Sequence, residues 1–252
     1  MTKGLIIFGG ARGIGAATAE VFIDRGWHVV IADVLSDEGS RLAQRLGERA
    51  HFVACDVAVP SDIAGAFDAA TQALPRVAAV FNNVGIARYG TVDALSLADW
   101  ELTLRVNVTA QFLAAGHAVR IFREQGGGVI VNTASILGHA SQKTTAAYAA
   151  SKAAVMGLTR TIAIDHAREN IRCVSISPGT IDTPLVRIAA EQFIDRSPDE
   201  LRAQWAAAHP VNRLGSPAEV AATVYFLISD EAAFITGSDI LIDGGIRSEA
   251  YA

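Results

Sequence analysis

Residues 5–15 read LIIFGGARGIG: an apolar run enters a cluster of glycines, and a helical pattern follows at once. Glycines let the backbone turn tightly and approach a pyrophosphate, whose charge then meets unpaired amide groups and the positive end of the helix. An ordinary strand-to-helix turn is the alternative explanation of such a cluster. We expect a phosphate group to be bound by Gly9, Arg12, Gly13, Ile14 and Gly15.

The rest of the chain alternates short β-branched runs with longer helical patterns. The runs predict seven strands, over residues 5–8, 28–32, 51–54, 78–81, 129–132, 173–176 and 240–242. Apolar residues at three- and four-residue steps predict helices between most of them, among others over 16–25, 61–74 and 217–228. Such repetition implies parallel pairing, and strands that are apolar throughout need cover on both faces. The sequence therefore predicts an α/β fold with a doubly wound, seven-stranded parallel sheet.

No feature of the sequence marks a second domain. Neither a Pro/Gly/Ser-rich linker nor a repeat interrupts the 252 residues, and their 51% hydrophobic content is ample for one core. Residues 183–210 are less regular than the rest and carry Pro198 and Pro210, which suggests a lid over a substrate. We expect one domain over residues 1–252.

Composition and charge narrow the class of partner. A net charge of −5 gives no basic footprint, so a small molecule is expected rather than nucleic acid or an anionic membrane surface. Cys55 and Cys173 lie in apolar runs and match no metal spacing, which predicts free thiols and no metal. No segment reaches the ~18 apolar residues of a membrane span. The expected compartment is the cytoplasm.

Asp33 ends the second predicted strand, where an acidic residue can accept hydrogen bonds from an adenosine ribose. A 2′-phosphate near this carboxylate would be repelled by about 4 kcal/mol at about 4 Å and an effective dielectric of about 20, less where solvent screens it. Arg12 argues the other way, because a basic residue can offset a phosphate's charge. Since Asp33 is expected to lie closer, we predict NAD rather than NADP; a helix cap ahead of residues 36–46 is its alternative role.

Tyr148 and Lys152 stand four residues apart, so on a helix over 144–166 they share one face. A free phenol is a poor base at neutral pH, but an adjacent ammonium favours the phenolate and lowers the phenol pKa. Ser135 follows the fifth predicted strand, at the edge where open parallel sheets bind ligands, and its hydroxyl could hold a reacting oxygen. These residues predict proton transfer by Tyr148; an exposed helical pair and a turn serine are the alternatives.

Several separate motifs together resemble the short-chain dehydrogenase/reductase family over almost the whole chain. The glycines at 9, 13 and 15, the Asn-Asn-Val-Gly at 82–85, the Tyr-x-x-x-Lys at 148–152 and the Pro-Gly-Thr-Ile-Asp-Thr at 178–183 stand at the family's motif positions. The resemblance implies a single-domain Rossmann fold. It also implies cofactor contacts from Asp56, Val57, Asn82, Asn83, Gly85, Tyr148, Lys152, Pro178, Gly179, Ile181 and Thr183.

The same resemblance implies the catalytic residues Asn107, Ser135, Tyr148 and Lys152. Hydride would pass between the substrate carbon and nicotinamide while Tyr148 exchanges a proton with the substrate oxygen. Lys152 would touch the nicotinamide ribose, and Asn107 would help to hold a proton-relay water. From the residues alone, Asn107 is only an asparagine that interrupts a long helix over 96–125.

For the substrate, the resemblance places the pocket between the catalytic residues and the lid. If His139 and the more distant Arg88 face that pocket, they favour a polar secondary alcohol or ketone such as a polyol, sugar or hydroxy acid. The alternatives are an NADPH-linked carbonyl reductase and a non-catalytic NAD-binding scaffold. A homotetramer is implied, in which the long helices pack against partner copies. The candidate substrate contacts are Leu137, His139, Gln142 and Trp205.

Overall fold

The computed structural model describes residues 3–191 and 197–248. Seven strands lie within these residues: β1 (Gly4–Phe8), β2 (His28–Asp33), β3 (Ala50–Ala54), β4 (Val77–Asn82), β5 (Gly128–Thr133), β6 (Ile171–Pro178) and β7 (Asp239–Ile242). They form one parallel sheet in the order β3-β2-β1-β4-β5-β6-β7. The predicted sheet is confirmed, and each predicted strand lies inside an observed one.

Helices connect the strands and cover both faces of the sheet. In the described residues they are α1 (Gly13–Asp24), α2 (Ser36–Leu46), α3 (Pro60–Ala73), α4 (Leu97–Leu104), α5 (Ala110–Gln125), α6 (Ala146–His166), α7 (Pro184–Glu191), α8 (Pro198–Ala207) and α9 (Pro217–Ile228). The sequence explains where α8 and α9 begin. Ser197 and Ser216, the residues just before these helices, each form a capping box with the glutamate three residues further along.

Alternate residues of the strands enter two different cores, which explains why the strands are apolar throughout. Ile6 and Phe8 face the cluster under α3 and α5, whereas Leu5 and Ile7 face the one under α1 and α9. Both cysteines are buried and free, as expected. Within the described residues, no helix is both long and apolar enough to cross a bilayer.

The sheet reverses its winding between β1 and β4, and the connections after these two strands diverge there. In open α/β sheets such a switch point, at the carboxyl ends of the strands, is where ligands bind. The glycine cluster follows β1, Asp33 ends β2, and Ser135 lies just past β5. The topology therefore brings residues that are far apart in sequence to one edge.

One predicted helix, over 96–125, differs from expectation. It is divided into α4 and α5 by a π-helical turn over Arg105–Thr109, and Asn107 lies in that turn. The lid expected over 183–210 contains α7 and α8, while its residues 192–196 lie outside the described residues.

Candidate active site

The glycine turn between β1 and α1 has the shape that a bound phosphate requires. Gly9 and Gly13 have φ values of 76° and 53°, and a Cβ added to Gly15 would lie 2.0 Å from the Gly9 carbonyl oxygen. Arg12, the N-cap residue of α1, makes no side-chain cap, and no acidic side chain stands in the first turn. The first-turn amides, which include those of Ile14 and Gly15, are therefore left to meet an anion, so these residues fit the pyrophosphate of a dinucleotide.

Asp33 ties the glycine turn to the loop after β2. Its carboxylate accepts hydrogen bonds from the amides of Ala11, at 2.9 Å, and Leu35, at 3.1 Å. Leu35 is itself the N-cap residue of α2, and no side chain caps this helix, so Asp33 does not fill the alternative role of a helix cap. A carboxylate offers about four acceptor positions, so two remain for the hydroxyls of a ribose. Arg12 is ion-paired with Glu38, a carboxylate that was not singled out from the sequence.

The four catalytic candidates lie close together. Tyr148 is hydrogen-bonded to Ser135, a side chain only 8% exposed, and the Lys152 amine lies 5.5 Å from the centre of the Tyr148 ring. Ser135 also accepts from the Leu137 amide at 3.1 Å. Lys152, 2% exposed, donates to the Thr133 carbonyl at 2.8 Å, so β5 holds the amine in place.

The direction of the Tyr148 pKa differs from the expectation that the ammonium would lower it. Burial raises the pKa of Tyr148 to about 12; the hydrogen bond with Ser135 lowers it in part, and the neighbouring Tyr89 phenol raises it further. Burial also lowers the pKa of Lys152 to about 8. Removal from water penalises the charged form of each group, and this penalty is the largest cause of both pKa shifts.

Asn107 is fully buried, and its side chain is committed to two neighbours. Its Oδ1 accepts from the Ile86 amide at 2.9 Å, while its Nδ2 donates to the Ile86 carbonyl at 2.9 Å and to Ser151 Oγ at 3.0 Å. The Ser151 hydroxyl donates to the Tyr148 carbonyl at 2.7 Å. Asn107 therefore joins the loop after β4 to the helix that carries Tyr148. Its side-chain nitrogen has no further hydrogen to give a water.

Several residues that were predicted to contact the cofactor make hydrogen bonds or packing contacts within the protein. Asn83 donates to the Gly9 carbonyl at 2.9 Å, which fixes the glycine turn from the β4 side. Asn82 instead points inward and donates to Asn132 Oδ1 at 2.9 Å. The Gly85 backbone lies beside the Lys152 amine. On the adenosine side Val57 is buried, and the carboxylate of Asp56 accepts from the Ala58 amide.

The segment after β6, which is expected to contact the nicotinamide end of the cofactor, is hydrogen-bonded to a residue of the lid. Pro178 ends β6, Gly179 and Ile181 line a cavity of about 280 Å³, and Thr183 lies against Gly13. His209, 3% exposed, accepts from the Thr180 amide at 3.1 Å and contacts the Trp205 carbonyl at 2.7 Å. The candidate contacts for the two ends of a dinucleotide therefore meet where Thr183 touches Gly13.

The substrate candidates do not all converge. Leu137, His139 and Gln142 line a cavity of about 620 Å³ beside α6, whose described lining does not include Ser135 or Tyr148. The imidazole of His139 contacts Asp239 at 2.7 Å, and Arg88 is ion-paired with Asp99 at 3.3 Å. Trp205 lies on α8. The polar pair that suggested a polar substrate is therefore engaged with carboxylates of the chain itself.

Three residues of the site were not predicted from the sequence. Tyr89 is placed beside Tyr148 because the Gly90 amide donates to the Thr144 carbonyl at 2.8 Å. Ser151 links Asn107 to α6, and Glu38 faces Arg12. A tyrosine, a serine and a glutamate in such segments carry no local signal, since each contact joins positions far apart in the chain.

Comparison with known proteins places the chain among oxidoreductases. A family model described as enoyl-(acyl carrier protein) reductase matches residues 9–247. Cis-4-hydroxycyclohexanecarboxylate dehydrogenase of Sinomonas cyclohexanicum is 37% identical over 95% of this chain and 94% of that protein. Cyclohexanol dehydrogenase of Acinetobacter sp. (strain SE19) is 34% identical over 98% and 96%.

A solved structure agrees over a similar span. The 3-ketoacyl-(acyl-carrier-protein) reductase from Brucella melitensis, complexed with NADH, has a TM-score of 0.88 and 29% identity, covering 97% of this chain and 98% of that one. The matches extend over the glycine turn, the parallel sheet and the Tyr148 helix alike. The chain belongs to the short-chain dehydrogenase/reductase family, as an oxidoreductase that uses a nicotinamide cofactor and acts on CH–OH groups.

Proposed function

We propose that this protein is an NAD-dependent dehydrogenase of secondary alcohols, or a reductase of the corresponding ketones, with Tyr148 as the acid/base. The observation that carries the proposal is the contact of Tyr148 with Ser135, beside Lys152, at the edge of the sheet where the glycine turn opens. Geometry of this kind, a titratable hydroxyl next to a second donor, is what proton transfer to or from a substrate oxygen needs.

Each member of the site then has a separate role. Ser135 holds the substrate oxygen, and Tyr148 takes its proton during oxidation or returns it during reduction. Lys152 supplies positive charge to the phenolate form, and Asn107 fixes the loop after β4 against α6. A bound nicotinamide dinucleotide supplies the acceptor or donor of the hydride.

NAD is favoured over NADP by the charges at the adenosine end. Asp33 keeps two acceptor positions that suit ribose hydroxyls, and its negative charge opposes a 2′-phosphate. Glu38 adds a second carboxylate close by. The residues proposed to hold the cofactor are the predicted ones, except for two asparagines whose side chains bond within the protein. Asn83 supports the glycine turn, and Asn82 is bonded to Asn132.

Hydroxylated rings, including ring hydroxy acids, are the substrates we propose to test first. The relatives named for cyclohexanol and for cis-4-hydroxycyclohexanecarboxylate support a ring-bearing secondary alcohol. The cavity beside α6, about 620 Å³, is wide enough for such a ring and carries Gln142 as a polar contact. The proposed route to Tyr148 passes between the loop at 90–92 and the loop at 137–145.

A panel of cyclic and linear secondary alcohols, hydroxy acids and sugars with NAD and with NADP tests these assignments, read as absorbance of the reduced cofactor. We expect turnover with NAD, and Tyr148→Phe should lower kcat by about 10²–10⁴-fold while NAD binding is retained. A preference for NADP would favour a carbonyl reductase. Binding of NAD without turnover of any alcohol or ketone would favour a scaffold and contradict the proposal.

A homotetramer is also proposed. Among the exposed large apolar side chains of the described residues are two pairs: Phe112 and Ile164 on α5 and α6, and Phe226 and Phe234 on and after α9. We take these two pairs as the apolar parts of the surface that two kinds of two-fold interface would cover.

A further inference from the structure

An ion pair spans the adenosine end of the proposed cofactor site. Arg12, in the glycine turn, contacts the carboxylate of Glu38, in the first turn of α2. Their side chains are 44% and 31% exposed, so both stand at the surface rather than in the core. The pair joins the two elements that an adenosine ribose would meet, and neither the fold nor the proposed chemistry requires it.

The backbone sets the position of this pair next to Asp33. The Asp33 carboxylate binds the amide of Ala11, the residue before Arg12, and the amide of Leu35, three residues before Glu38. Both members of the pair are therefore anchored within a few residues of the carboxylate proposed to bind the ribose. Any group attached to the ribose 2′ position would approach Arg12 and Glu38 together.

The charges around Glu38 match those of a phosphate site. The hydrogen bond from Arg12 lowers the pKa of Glu38, and the charges of Arg12 and of Arg41, three residues further along α2, lower it further. Two guanidinium groups near one anion are a common way to bind a phosphate. Here the anion near the two guanidinium groups is the carboxylate of Glu38, a residue of the same chain.

We propose that Glu38 determines cofactor specificity, by holding Arg12 in an internal ion pair so that this guanidinium is withheld from a 2′-phosphate. The inference rests on the proposed NAD preference and deepens it. Asp33 alone repels the phosphate, but Arg12 would offset that repulsion if it were free. With Glu38 in place, an incoming 2′-phosphate has to displace a carboxylate before it gains the arginine.

The test removes the charge and keeps the shape of the side chain. Glu38→Gln is titrated calorimetrically with adenosine 2′,5′-bisphosphate and with AMP, two probes that differ by the 2′-phosphate and need no turnover. We expect the affinity for the bisphosphate, relative to the affinity for AMP, to rise at least tenfold in Glu38→Gln. A rise of this size is roughly what one strong charge-assisted contact contributes. Adding Arg12→Ala to Glu38→Gln should cancel most of that rise, because the released guanidinium is then gone.

Glu20→Gln is the matched control. Its carboxylate pairs with Arg45 at 2.7 Å, so this variant also breaks an ion pair between α1 and α2 and changes the net charge by the same amount. An equal rise in both variants would assign the effect to net charge and overturn the proposal, as would no rise in Glu38→Gln. If the wild type binds NAD and Glu38→Gln gains nothing, this inference alone fails; if the wild type binds neither NAD nor AMP, the proposed function fails with it.

Discussion

At the scale of one residue, the buried charge of Lys152, which we propose to act beside Tyr148, lowers the stability of the fold. The ammonium is 2% exposed, and burial lowers its pKa from about 10.4 in an unfolded chain to about 8. Below pH 8 both states carry the proton, and the folded state bears the full cost of burying it, on the order of 3 kcal/mol. Between pH 8 and about 10.4 the folded state releases the proton first, so wild-type stability rises with pH.

We predict that Lys152→Met is more stable than the wild type at pH 7, although turnover is lost. Methionine keeps an unbranched chain without a charge, and losing the bond to the Thr133 carbonyl offsets about 1 kcal/mol of the gain. The advantage should shrink as the pH rises from 8 toward 10, and urea unfolding over this range measures it. Lys143→Met, at an exposed position, should change stability by less than about 0.5 kcal/mol. A variant less stable than the wild type at every pH would contradict the argument.

At the scale of an element, α8 is fastened to the segment after β6. Arg202 on α8 grips Asp182 with two hydrogen bonds, of 2.8 and 3.0 Å, and His209 just past α8 accepts from the Thr180 amide. The side chain of Leu201, on the inner face of α8, is buried. Because few contacts hold so short a helix, its opening is expected to be a local event rather than a part of global unfolding.

We predict that Arg202→Ala speeds hydrogen exchange of the amides in 198–207 by roughly three- to tenfold, since a partly exposed bidentate pair contributes about 1 kcal/mol. Exchange in β1 and β4 should stay unchanged. Arg187→Ala is the control, because Arg187 meets the same carboxylate at 3.4 Å and is 63% exposed. Equal exchange in all three proteins would show that the pair does not hold α8, and would remove the support for a lid.

At the scale of the whole molecule, the two apolar parts of the surface predict how the proposed tetramer dissociates when one of its interfaces is disrupted. Ile164 on α6 is 78% exposed, and Phe234 after α9 is completely exposed. A charge placed in one interface should open that interface and leave the other closed. We therefore expect Ile164→Glu and Phe234→Glu each to yield dimers, and the double variant to yield monomers of 26.5 kDa.

Light scattering after size exclusion measures these masses. Gln44→Glu, which adds the same charge on the exposed side of α2, should keep the wild-type mass. A wild type that elutes as a monomer would remove the assembly from the proposal without touching the chemistry assigned to Tyr148.

The sequence by itself determined the seven strands, the winding of the sheet, the glycine turn and the helical face shared by Tyr148 and Lys152. Each depends on local rules: which residues suit a buried strand, where glycine permits a turn, and the four-residue step of a helix. The family resemblance supplied Asn107, which no local rule would have selected.

Only the tertiary structure decided which partners the side chains of the site contact. It paired Arg12 with Glu38 and His139 with Asp239, placed Tyr89 beside Tyr148, and put Asn107 in a π-helical turn. The same is true of the raised pKa of Tyr148, since the sequence shows the neighbouring lysine but not the burial that outweighs it. Hydrogen bonds, ion pairs and desolvation depend on which distant segments meet, and that is fixed only when the sheet and its helices close around the site.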